Sequence, residues 1–104
     1  MTDKYKANVS ELAAAFLEHL SVEKGYSPAT VRAYGTDIAQ FEQWLAGVGL
    51  NPSAPGTVTR RHIQRFLAEL HREATKKTSV SRKLSTLRSF FHYLVRKKNI
   101  SVSP

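Results

Sequence analysis

Apolar residues recur along this chain at spacings of three and four and never alternate one by one, a pattern that predicts helices and no strands. Leu12, Phe16, Leu17 and Leu20 form the first stripe, within a helix expected over 10–24. Ser10 is placed to cap it, Glu11 suits the positive end of the helix dipole, and Gly25 can stop it. The second stripe is Val31, Tyr34, Ile38, Phe41 and Leu45. It follows a Ser27 cap and Pro28, whose missing N–H is harmless in a first turn, and it ends at Gly47 and Gly49. The stretch "LNPSAPG" then reads as a loop. Thr59 is the expected cap of a third helix with Ile63, Phe66, Leu67 and Leu70 on its buried edge. "HREATKKTS" interrupts the period, and a fourth helix is expected from Thr78 or Ser79 to near Asn99, with Val80, Leu84, Leu87, Phe91 and Leu94 inward. Four helices of moderate length, each with one apolar stripe, predict a compact all-α bundle, a size that suits the 104 residues. Residues 1–9 read as a flexible leader, 10–98 as the domain, and 99–104, without period, as the start of a linker.

Charge changes the picture. The net charge is +8, but residues 1–59 carry four Lys/Arg against six acids, while 60–104 carry twelve against two. Such a block attracts polyanions, because Lys and Arg displace condensed counterions from a phosphate backbone. Duplex DNA is the leading partner. An anionic membrane surface is less suited, since the large apolar residues are committed to stripes that form the core.

The fourth helix shows where such a partner would sit. Opposite its stripe, at about 100° per residue, lie Arg82, Ser85, Thr86, Ser89, Tyr93 and Arg96, flanked by Lys83 on one side and Arg88 on the other. Lys76, Lys77 and Ser79 extend this candidate DNA face through the helix start. Short hydroxyl side chains let a helix backbone approach a groove and donate to phosphate oxygens, and Arg can grip phosphate or guanine in bidentate fashion. Small residues also mediate close helix crossings, so Ser85, Thr86 and Ser89 can equally pack against a neighbour. The second helix carries a quieter version in Arg32, Thr36, Gln40 and Gln43, with Ser27 and Thr30 at a helix N-terminus suited to phosphate.

Other chemistries find little support. There is no Cys, hence no disulfide, thiol nucleophile or Cys-bound zinc. The four His lack ligand spacing, so no metal and no cofactor are expected. Glycine-rich phosphate loops, paired carboxylates and Ser/His/Asp sets are not legible, and neither a small-molecule substrate nor catalysis is expected of this stretch. A helix-turn-helix regulator and a basic helical protein-interaction module remain alternatives.

Two stretches point further. "YSPATVRAYGTDIAQFEQWL" (26–45) resembles a tyrosine recombinase pattern in which Ser, Thr, Tyr, Asp and Phe recur at set intervals, and "SVSRKLSTLRSFFHYLVRKKNISVSP" resembles the later basic helix of that family and its exit to a following domain. The resemblance, closest to the Xer branch, implies the N-terminal core-binding domain: a SAM-like (lambda-integrase-like) four-helix bundle of two crossed helix hairpins. It implies that the second and fourth helices face duplex DNA and that the first packs against other recombinase subunits. It further implies a bacterial, cytoplasmic, nucleoid-associated protein whose strand-cleaving tyrosine lies in an absent C-terminal catalytic domain. Thr30 and Arg32 match the start of the DNA-side second helix, and Arg82, Ser85 and Arg88 match DNA-side positions of the fourth. Lys98 and Ser103 stand where family members often have Gly and Asn.

Overall fold

The structure is a computed structural model that describes residues 9–73 and 75–104. Its elements are α1 (Glu11–Val22), α2 (Pro28–Gly47), a single 3-10 turn at Pro55–Thr57, α3 (Arg60–Arg72) and α4 (Lys77–Arg96). Among the described residues there is no strand. The all-α, four-helix bundle expected from the sequence is what forms. Residues 1–8 of the expected leader lie outside the described residues, while Val9 packs against the core.

Side-chain caps open the first three helices. Ser10 accepts from the Ala13 amide and Ser27 from the Thr30 amide, each at 3.2 Å. Thr59 and His62 form a reciprocal capping box in which His62 Nδ1 accepts from the Thr59 amide at 2.9 Å; the sequence suggested the Thr but not the His, because Glu or Gln usually fills that role. By contrast, α4 begins at Lys77 without a side-chain cap, slightly earlier than its pattern suggested.

Two helices end in Schellman turns, which satisfy the last carbonyls by folding the next amides back. After α2, the Gly49 and Leu50 amides donate to Ala46 and Leu45, with Gly49 at φ +87°. After α4, the Lys98 and Asn99 amides donate to Val95 and Leu94. Lys98 holds φ +62°, a left-handed conformation that glycine adopts more cheaply. This turn sends the chain back over the bundle. Ile100 joins the core at 8% exposure, so the segment 99–104 is docked against the domain at its start.

At the centre lies α4, packed on α1, α2 and α3, while α1 also packs on α2. That position explains a departure from the expected stripe. Val80, Lys83, Thr86, Leu87, Phe90, Phe91, Tyr93 and Leu94 are all buried, and Leu84 is only half-buried. The buried arc is thus broader than one stripe. At about 100° per residue its centre is rotated toward Lys83, Thr86 and Phe90. Tyr93, expected on the outer face, lies inside instead, its ring 5.3 Å from that of Phe16. Phe16, Phe41, Phe90 and Phe91 link the helices through tilted and edge-on aromatic contacts. Burying side chains of this size contributes about 1.5–3 kcal/mol each.

Candidate nucleic-acid interface

Two polar cross-links set how the helices meet. Glu42, 5% exposed on α2, accepts from the Ser10 amide at 2.8 Å and from the Ser10 hydroxyl at 2.7 Å, fastening the start of α1. Burial raises the Glu42 pKa above the usual carboxylate range, and the two Ser10 bonds offset only part of that rise.

Asp37, 1% exposed, makes the second link. Its Oδ1 accepts from Arg82 Nη2 at 2.8 Å and from Lys83 Nζ at 2.9 Å. Its Oδ2 accepts from Arg82 Nε at 3.1 Å and from the Thr86 hydroxyl at 3.0 Å. Burial opposes ionisation of Asp37, but the bonds from Arg82, Lys83 and Thr86 outweigh it and hold the carboxyl below its ordinary pKa. Every donor comes from α4, so this one carboxylate fixes α4 against α2.

The cluster corrects two expected site residues. Lys83 and Thr86 do not face outward; they are 7% and 1% exposed and their polar atoms are committed to Asp37. A buried acid requires partners, and these were the nearest donors on the facing helix. Thr86 also donates back to the Arg82 carbonyl at 3.0 Å.

The rest of the α4 face is open. Ser85, Arg88, Ser89 and Arg96 are exposed, and the Arg82 side chain is half-exposed at 51%. Ser81 and His92 complete this strip, and Ser81 was missed because the assumed core centre lay too far round the helix. The spacing 81, 85, 88, 92, 96 is the outward row that a wheel centred on the true core would have given. Lys76 and Lys77 are exposed at the α4 start, and Ser79 is half-buried.

On α2, Arg32, Thr36 and Gln43 are exposed and Gln40 is half-buried. The Thr36 hydroxyl donates to the Arg32 carbonyl at 3.1 Å, and that of Ser27 to Thr30 Oγ1 at 3.0 Å. Ser27 and Thr30 therefore sit together, exposed, at the α2 N-terminus. Burial raises the Tyr34 pKa above its ordinary value. Among the described residues no carboxylate pairs with Arg32, Lys76, Lys77, Arg88 or Arg96.

A groove of about 240 Å³ runs between α3 and α4, floored by Ile63, Leu67, Leu84 and Phe91 and edged by Arg60 and Arg88. The α3 cations Arg60, Arg61 and Arg65 are exposed, with the Arg65 guanidinium 5.8 Å from the Trp44 ring centre. No group of three or more His, Asp or Glu among the described residues could hold a metal. Among the described residues no helix is long and apolar enough to cross a membrane.

Four helices with α4 at the centre, and a basic, hydroxyl-bearing outer strip on that helix, define a compact helical domain with a cationic face. Residues 13–98 match the family model for the phage integrase N-terminal SAM-like domain, and the chain belongs to that family. Among relatives, it is 41% identical over 88 residues to a tyrosine recombinase XerC from Lacticaseibacillus casei (strain BL23), covering 80% of this chain and 28% of that protein. It is 34% identical over 97 residues to a tyrosine recombinase XerC from Bacillus subtilis (strain 168), covering 93% and 31%. It is 35% identical over 96 residues to a tyrosine recombinase XerD from Listeria monocytogenes serotype 4b (strain F2365), covering 92% and 32%. The chain thus spans roughly a third or less of the length of these relatives. No solved structure matches it.

Proposed function

We propose that this chain binds duplex DNA through the outer face of α4 and the exposed side of α2, as the core-binding part of a Xer-type site-specific recombinase. One observation carries the reading: Ser85, Arg88, Ser89 and Arg96 leave the same helix toward solvent with no acid among them, and Arg82, paired with the buried Asp37, is half-exposed beside them. A helix of that kind fits the major groove, with hydroxyls donating to phosphates and Arg to phosphate or guanine. Ser27 and Thr30 at the α2 N-terminus and Lys76 and Lys77 before α4 add phosphate contacts; Arg32, Thr36, Gln40 and Gln43 lie along α2, and Ser79 lies near the α4 start.

Strand exchange is assigned to a parent protein of the relatives' length, with residues 10–98 as its DNA clamp and 99–104 leading toward a catalytic domain. None of Tyr26, Tyr34 or Tyr93 is assigned the nucleophile's role, and Tyr5 lies outside the described residues. The parent acts in the bacterial cytoplasm, at the nucleoid, with other recombinase subunits on the same DNA. A gel-shift series over salt concentration tests the binding, using a duplex enriched by this chain from a random pool and a scrambled copy. The expected outcome is preference for the enriched duplex and a steep fall in affinity with salt, since each neutralised phosphate contributes about −0.9 to the logarithmic slope. Affinity indifferent to salt overturns it.

A further inference from the structure

The Asp37 cluster holds more donors than a helix-to-helix tie requires. Lys83 and Thr86 are both buried and would anchor the carboxylate alone. Yet Arg82, whose side chain is 51% exposed, is also drawn onto it through Nε and Nη2. The side-by-side geometry fixes the plane of the guanidinium, which an unpaired Arg on a helix surface would leave to its rotamers. Two of five N–H donors are used there, and three remain for another acceptor. The charges are also uneven: one carboxylate faces two cations. Lys83, sealed inside, offsets Asp37, so the positive charge of Arg82 is not cancelled at the surface.

We propose that Asp37 is a positioning residue for DNA binding: it locks the Arg82 guanidinium into a fixed fork at the α2–α4 seam, with Lys83 as the internal counter-ion that leaves the fork net positive. This rests on the DNA-binding reading above and assigns a role in it to a buried acid. Preorganisation lowers the ordering cost that a free Arg would meet on binding. A cluster that only held helices together would have no such consequence for DNA.

Pure electrostatics and positioning predict opposite signs for one substitution. Asp37→Asn removes a negative charge, so a charge-only account has it bind DNA as tightly or tighter. Positioning has it bind the enriched duplex more weakly, by about tenfold, a value within the range of one lost bidentate contact. Binding is measured by fluorescence anisotropy, with the folded fraction of each variant read by circular dichroism. Arg82→Lys, which keeps the charge and loses the planar fork at a half-exposed site, is expected to show a similar loss with the fold intact. The double variant Asp37→Asn/Arg82→Lys is expected to be no weaker than the weaker single one, because both act through one contact. Unchanged or tighter binding by Arg82→Lys overturns the proposal, and it decides the matter if Asp37→Asn does not fold. Failure of the wild-type chain to bind either duplex would instead remove the DNA-binding reading itself.

Discussion

Replacing Asp37 by Asn is the sharpest test of what holds α4 in place. The carboxylate is 1% exposed and the Lys83 side chain 9%, so the substitution leaves a buried ammonium without its counter-charge. Asn still offers one carbonyl oxygen to Lys83 or Thr86, but its NH₂ faces the donors of Arg82, which swings toward water. Breaking a buried pair by removing one member costs about 3–5 kcal/mol. Arg82 is half in solvent and its share is screened, which places the expected loss near 3 kcal/mol. For a domain of this size that lowers Tm by about 12–24 °C. Urea unfolding followed by circular dichroism measures it, with an unchanged slope showing that the same surface is exposed. The pH dependence supplies a second reading. The folded pKa of Asp37 is depressed, so its contribution is present above the unfolded value of about 3.9 and is lost as pH falls through the folded value. The gap between wild type and Asp37→Asn is therefore widest near neutral pH and closes in acid. Lys83→Met, which removes the buried cation and leaves Asp37 to Arg82 and Thr86, is expected to cost less. A gap under about 1 kcal/mol, or one flat across pH, refutes the view that an ionised Asp37 organises the seam.

Lys98→Gly is expected to stabilise the chain by about 1 kcal/mol, because φ +62° is a left-handed conformation that costs a side chain and not glycine; a thermal melt checks it, and a lower Tm would show that the Lys98 side chain contributes to stability. Glu42 runs opposite to Asp37 in pH: its folded pKa is raised, so the stability it adds is full below the unfolded value of about 4.3 and is lost as pH rises through the folded one. Glu42→Gln is accordingly expected to gain on wild type between acid and neutral pH, as read from urea midpoints. Arg88→Ala, on the open face of α4, is expected to leave the circular dichroism spectrum unchanged and reduce the logarithmic salt slope of DNA binding by about 1; an unchanged slope would remove Arg88 from the interface.

The first three helices were legible because each buries one stripe and each starts at a Ser or Thr cap. Phe16, Leu17, Leu20, Ile38, Phe41, Phe66 and Leu70 fall inside as their spacing requires. The fourth helix was harder for a physical reason. A helix in the middle of a bundle meets neighbours on more than half its circumference, and some of those contacts are polar. A wheel weighted by apolar residues alone drew its centre toward Leu84 and away from Lys83 and Thr86, and so carried Thr86 and Tyr93 to the wrong side. The corrective signal was present in α2: Asp37 adjoins Ile38 on the edge of an apolar stripe, and an acid there must find donors on whatever helix covers it. Ile100 left no such signal, since one apolar residue beyond a Schellman turn has no period to belong to. The two stretches that carried the family resemblance each hold half of the buried cluster, Asp37 in one and Arg82 in the other. That juxtaposition ties the fold to the surface. Which side chains α4 shows to solvent is decided by which it must turn inward to satisfy one carboxylate, so Ser85, Arg88, Ser89 and Arg96 share an open face because Lys83 and Thr86 do not.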